Sequence, residues 1–370
     1  MRLIFATACL SIIPTAQAVD ASWNGFLTLA AGKVVQGTVN GKNEMGRQCP
    51  CLITDFSQNA VLTENWGLDD SKLGLQGSLQ FSPDWSLTGQ AVVRGSRDFK
   101  PNLEWVYLSW QASDSSTVQI GRKRLPLFYY SEQQDIGFTY PWVHLPPQTY
   151  GWEAVNYNGI NWNWQWVAGD WSGIVNSFVG TETRRDNDYW KLYYEPGVQV
   201  DTKWDKIAGV ELIGSRGWFE GRLMMMRSEN SDREQGQPWS ATSQQLILGA
   251  SALADFGDWF GSTELFFSDR TESYGRDLAY SFTLGRRFGV YSVVFTHGLY
   301  QQKVTRDNPD ELTYDDREVH RMNSLVLRYE LNDASAVKLQ FDDWNDYSGE
   351  WFASNYGDAR AISLSYDLVF

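Results

Sequence analysis

The sequence predicts an all-β protein: a closed transmembrane antiparallel β-barrel of about 16 strands, with short turns at one end and long loops at the other. Three observations predict it. Apolar and polar residues alternate at period two through most of the chain, short and long connections alternate without a break, and tryptophan recurs beside the short turns. Composition agrees. The chain has 370 residues, a net charge of -14 and 15% aromatic residues, and a mean hydropathy of -0.40. That hydropathy argues against a bundle of membrane helices. The aromatic content excludes a disordered chain, and the acidic balance argues against a nucleic-acid partner.

The elements follow in chain order. Residues 1–18 read as a secretory signal peptide. Met1 and Arg2 open a positive region, an apolar run extends from Leu3 to Ile13, and Pro14 precedes a small-x-small pattern at Ala16-Gln17-Ala18. The apolar run falls short of the roughly 20 residues a membrane helix needs. Too little signal precedes Cys9 for a lipoprotein site. Residues 19–370 then form a single barrel domain. In an oxidising compartment Cys49 and Cys51 are candidates for a disulfide that staples a loop. Metal or redox work and two free thiols are the alternatives.

Leu73, Leu75, Gly77, Leu79 and Phe81 share one strand face, opposite Lys72, Gly74, Gln76, Ser78 and Gln80. Ser82-Pro83-Asp84 turns the chain. Trp85, Leu87, Gly89, Ala91 and Val93 then alternate with Ser86, Thr88, Gln90, Val92 and Arg94. The same period runs through Ile160, Trp162, Trp164 and Trp166, through Val337, Leu339 and Phe341, and through Ile362, Leu364, Tyr366, Leu368 and Phe370. Tight turns fall at 82–84, 113–116, 167–170, 215–217, 255–258, 286–289 and 332–335. Between them lie long polar segments at 34–70, 95–102, 125–153, 181–205, 228–243, 268–277, 301–320 and 345–358. The pattern is least regular over 179–207.

In antiparallel neighbours this order places every tight turn at one end. An open sheet of this size would pair with other chains, and unpaired backbone groups in lipid cost several kcal/mol each, so the sheet closes. At about 16 strands the polar inner face should enclose water. Trp85, Trp171, Trp218 and Trp259 stand directly after short turns, with Phe81, Trp166, Phe256 and Phe288 at or beside them. That is the girdle of a membrane interface, which a soluble sandwich has no reason to build.

The chain ends on Phe370, with Tyr366 and Leu368 at two-residue steps before it. This resembles the C-terminal signal read by the barrel-assembly machinery of Gram-negative outer membranes. The strand Thr117-Val118-Gln119-Ile120-Gly121-Arg122, followed by a long third loop at 125–153, is similar to the sixteen-stranded general-type outer-membrane porins. In those proteins the third loop folds into the barrel and narrows the pore. The resemblance covers the whole mature chain in architecture, and in sequence only the terminus and Gly121-Arg122. It implies passive diffusion of small polar solutes, an integral outer-membrane location in contact with lipid and lipopolysaccharide, and commonly a homotrimer. A plugged barrel that serves structure or surface binding is the alternative, and a lipid-modifying enzyme is a weaker one.

Charges at a constriction set the selectivity of such pores. Glu132 and Asp135 on the third loop would face Arg122, Lys123, Arg124 and the wall residue Arg94, giving a transverse field, with Glu153 at the loop's end. With Val118 and Ile120 toward lipid, Gln119, Gly121 and Lys123 should face water, and Arg122 and Arg124 should point out. Either the strand bulges near Gly121 or those arginines bind lipid phosphates. Arg94, Lys72, Glu220, Arg222, Arg328, Lys338 and Asp342 fall on polar faces and read as a solvated lumen wall. The acid excess implies a mild cation preference.

The third loop is rich in rings: Phe128, Tyr129, Tyr130, Phe138, Tyr140, Trp142, Tyr150 and Trp152, with Pro146-Pro147 stiffening it. They either stack on ring-bearing solutes such as sugars or pack the loop against the wall. No enzyme, cofactor or metal site is expected. His144 and His320 read as loop residues and His297 as lipid-facing, and Gly-x-Ser-x-Gly is absent. The acidic segment 307–318 reads as a cation-attracting vestibule, a site of divalent-cation bridging to lipopolysaccharide, or a solvated face.

Overall fold

The computed structural model describes residues 19–270, 275–303 and 317–370. The expected signal peptide, Cys9, and residues 307–316 of the acidic segment lie outside the described residues. Sixteen antiparallel strands close into one barrel. They are β1 (Asp20–Gly37), β2 (Lys72–Ser82), β3 (Trp85–Arg94), β4 (Pro101–Ser113), β5 (Ser116–Arg124), β6 (Asn156–Ala168), β7 (Trp171–Arg184) and β8 (Val200–Arg216). The second half comprises β9 (Phe219–Glu234), β10 (Ser243–Asp255), β11 (Trp259–Arg270), β12 (Gly275–Phe288), β13 (Tyr291–Lys303), β14 (Val319–Asn332), β15 (Ser335–Asp346) and β16 (Ala359–Val369). Each strand pairs with its chain neighbour, and β1 also pairs with β16, Phe26 opposite Val369, which removes both sheet edges.

The seven tight turns of the sequence reading join β2–β3, β4–β5 and so on to β14–β15. The irregular stretch at 179–207 has a cause. Bulges fall between Gly180 and Glu182 and between Asp205 and Ala208, and each resets the alternation.

The outer face is apolar. Leu75, Ile120, Ile160, Leu223, Leu265 and Leu327 are exposed on it, as a lipid-facing belt requires. At the turn end Trp85 stacks on Trp110 at 6.0 Å, Tyr291 stacks on Tyr329 at 4.8 Å, and Trp218 lies 4.7 Å from Phe256. This is the ring of interfacial aromatics that the turn-side tryptophans predict.

The inner face departs from the expectation of a water-filled lumen with polar walls. Met224, Met226, Ile247, Phe266, Val294 and Val326 point inward and are buried. They form one hydrophobic core with Leu127, Phe128, Tyr140, Trp142, Tyr150 and Trp152 of the third loop. Much of the barrel is therefore filled as a soluble domain is. A second core lies at the loop end. There the first loop (residues 38–71) brings Leu52, Ile53, Phe56 and Leu62 against Met322, Trp344, Phe352 and Tyr356. Cys49 and Cys51 in that loop are joined by a disulfide.

Candidate functional site

The third loop, L3 (residues 125–155), leaves β5 and folds into the barrel. Its neck is closed by the Leu125 N–H donating to the Val155 carbonyl at 2.9 Å. Between those ends only Glu132, Gln133 and Thr139 are exposed. A closed chain of buried hydrogen-bonding groups must find partners inside the barrel, and the wall charges supply them.

On one side, Asp135 accepts from Arg94 Nε at 2.9 Å and Nη2 at 2.6 Å, and also from Arg124. Glu104 pairs with both arginines, at 2.6 Å and 3.1 Å. These four side chains are at most 4% exposed. Burial alone would raise the Asp135 carboxyl, but Arg94 and Arg124 hold it well below the usual carboxylate range. Glu104 reaches the interior because β4 carries an extra residue there. Gln90 pairs with Trp105 and Ala91 with Leu103, so Glu104 and Trp105 both end up buried.

On the wall formed by β14–β16, Lys338 Nζ donates to the carbonyls of Gly137 at 2.6 Å and Trp142 at 2.7 Å, and pairs with Asp367 at 3.0 Å. Arg328 donates to the carbonyls of Phe138 at 3.0 Å and Tyr140 at 2.9 Å. Gly137 permits this approach, since a β-carbon there would collide with the Asp367 carboxylate and the Thr28 hydroxyl. Elsewhere Arg222 donates to the carbonyls of Pro126 and Leu127, Lys72 donates to that of Gln134 at 3.2 Å, and Glu220 accepts from the Tyr129 hydroxyl at 2.6 Å. His144 stands between Asp342 at 3.2 Å and Asp70 at 3.4 Å. The seven wall residues read as solvated are thus the anchors of L3. Alternation gives their inward direction and gives no hint of a loop waiting there.

Burial opposes the charge on His144, but Asp342 and Asp70 outweigh it and hold the imidazole pKa at about 10. A folded-state value above the ordinary one means that this stabilisation is complete below about pH 6.5 and is lost as pH rises through about 10. In thermal unfolding scans, wild type should exceed His144→Gln in stability at pH 6. The gap should close by about pH 10, and a gap independent of pH would contradict the ion-pair assignment.

The six predicted constriction residues separate into three groups. Arg94, Arg124 and Asp135 neutralise one another within the buried cluster, together with Glu104. Arg122 keeps the parity of Ile120, opposite Val106, and pairs with Glu182 at 2.9 Å. Register runs unbroken through Gly121, so neither the bulge proposed there nor a lipid phosphate is needed to account for it. Lys123 and Glu132, 3.9 Å apart, border open space. The loop's rings pack against each other: Tyr130 meets Tyr129 at 4.8 Å, Trp142 at 5.8 Å and Tyr140 at 5.9 Å. Trp142 also donates its indole N–H to Thr296 at 2.7 Å. His320 lies in β14, buried and stacked 4.1 Å from Trp344, rather than in a loop.

Among the described residues, two spaces border L3 along its length. One, of about 350 Å³, lies between L3 and the β4–β8 wall, where Gln119, Asn163, Asn176 and Glu211 face Glu132 and Gln133. The other, of about 410 Å³, lies beneath Tyr130 and Trp142 and reaches the short turn at Gly217. Tyr129 lines both.

Solved structures share this architecture along almost its whole length. The fold is that of the sixteen-stranded outer-membrane porins. An anion-selective porin from Comamonas acidovorans is 13% identical, with a TM-score of 0.59 over 95% of this chain and 100% of that one. The outer membrane channel DcaP of Acinetobacter baumannii is 9% identical, with a TM-score of 0.60 over 95% and 97%. OmpT of Vibrio cholerae, folded in vitro and in trimer form, is 8% identical, with a TM-score of 0.55 over 96% and 100%. No family model matches the chain, and no curated protein matches it in sequence. With the apolar outer belt, the porin fold makes this an integral outer-membrane protein.

Proposed function

We propose that the protein is an outer-membrane diffusion channel for small polar solutes, in which L3 restricts passage to a narrow route along the β4–β8 wall. The observation that carries this reading is the exposure of Glu132 and Gln133. In a loop otherwise buried almost throughout, these two side chains face a polar wall across open space. Glu132 is the exposed carboxylate on the L3 side of that route, which supports a mild cation preference. The chain acts without enzymatic chemistry in this reading, and it assembles as a homotrimer surrounded by lipid and lipopolysaccharide. The trimer form of the Vibrio cholerae structure supports that assembly.

In planar bilayers under a salt gradient, Glu132→Lys should move the reversal potential toward anion selectivity, because it replaces an acid with a base at the narrow point. An unchanged potential would place the ion route elsewhere. A second reading, a plugged barrel, is favoured by the continuity of the L3 core with the inner wall. Liposomes carrying the protein would then fail to swell in small sugars, whereas the channel reading expects swelling.

A further inference from the structure

The two halves of the lumen wall are built differently. Along β9–β14 the inner face is apolar, and Met224, Ile247, Phe266, Val294 and Val326 join the L3 core. Across β5–β7 the inward side chains beside the open space are amides: Gln119, Asn163, Gln165 and Asn176. L3 adds a fifth, Gln133. Asn163 donates to Gln119 at 3.3 Å and Asn176 donates to Glu211 at 3.2 Å, which holds the row in place. An amide has two donor hydrogens and two acceptor lone pairs, so these bonds leave capacity on both sides. Gln165 and Gln133 are exposed, and among the described residues their side chains bond to no protein group.

The charges of the same lining balance, Lys123 and Arg124 against Glu132 and Glu211. Arg124 is committed to Glu104 and Asp135, and Glu211 to Arg222. Lys123 stands 3.9 Å from Glu132. A full charge on a solute therefore gains little here, whereas hydroxyls, which both donate and accept, match the amides. Two tyrosines complete the lining. The Lys123 ammonium lies 4.9 Å over the ring of Tyr107. Tyr129 is held by its hydroxyl on Glu220 at 2.6 Å and by an edge contact with Tyr130 at 4.8 Å, which fixes the plane of its ring beside the amides. Such a ring packs against the C–H face of a sugar while amides bond the hydroxyls at its edge. The space measures about 350 Å³, within the range of roughly 300–1,000 Å³ usual for small-molecule sites.

We propose that the space between L3 and the β4–β8 wall binds neutral sugars. This inference rests on the channel reading and names the solute class that the route prefers. Isothermal titration of the full chain, folded in a detergent without a sugar headgroup, tests it with glucose as the probe. Glucose should bind saturably at one site. Tetraethylene glycol, a polyether without the row of hydroxyls, should give no saturable heat. Glucosamine and gluconate, which add a positive and a negative charge, should bind no more tightly than glucose. Gln165→Leu should weaken glucose binding roughly fivefold. Tyr129→Ala should weaken it by roughly the same factor, and Tyr129→Phe, which keeps the ring, should preserve most of it. No saturable heat with glucose, equal binding of the polyether, tighter binding of either charged sugar, or indifference to both Gln165→Leu and Tyr129→Ala would each overturn the proposal. Because binding is read at equilibrium, a barrel that conducts ions but does not bind glucose would overturn this inference alone. A barrel that binds glucose without conducting would overturn the channel reading and leave the sugar site standing.

Discussion

Asp135→Ala should raise single-channel conductance and lower stability by about 3–5 kcal/mol, the cost of breaking a buried pair by removing one partner. The carboxylate is the only L3 side chain that reaches both Arg94 and Arg124. Without it, two guanidiniums share Glu104 alone, and one positive charge stays buried without compensation. The less costly outcome is for L3 to leave the wall and admit water. Urea unfolding of the detergent-folded protein reads the first effect, and planar bilayer recording reads the second. Asp135→Asn should show both in weaker form, since the amide keeps one acceptor for Arg94 or Arg124. Unchanged stability would mean that the cluster does not hold the loop.

Lys338→Met should act comparably from the β15 wall. The ammonium satisfies two L3 carbonyls and balances Asp367. Methionine fills similar space and supplies none of these bonds. Each buried acceptor left without a donor costs about 1–3 kcal/mol, and the uncompensated Asp367 adds to that. We expect a total loss of about 3–5 kcal/mol, with noisier and larger conductance steps as residues 137–142 detach. If Lys338→Met lowers stability and leaves conductance unchanged, that part of L3 does not border the route.

Much of this architecture is legible in the sequence because period-two alternation and turn placement are local signals. Leu73 to Phe81 and Ile160 to Trp166 declare their outward faces residue by residue. Direction alone, however, does not reveal what fills the interior. Alternation predicts that Lys72, Arg94, Arg222, Arg328 and Lys338 point inward, and they do, yet their partners are L3 backbone carbonyls and carboxylates brought from far along the chain. One local signal for the filled lumen was present. Leu223-Met224-Met225-Met226, Leu265-Phe266-Phe267, Val293-Val294-Phe295 and Leu325-Val326-Leu327 are apolar on both faces, the mark of strands buried on both sides. Strands wetted on the inner face would not carry Met224, Phe266, Val294 and Val326 there. Glu104 was illegible for another reason. A bulge shifts parity by one, and nothing in Leu103-Glu104-Trp105 announces it.

In the proposed channel, L3 narrows the barrel to a passage without sealing it. Single-channel recording of the purified wild-type protein in planar bilayers tests this most directly. Wild type should show small, discrete conductance steps that grow in Asp135→Ala. No steps at any voltage in wild type, or wild-type steps as large as those of the variant, would contradict it.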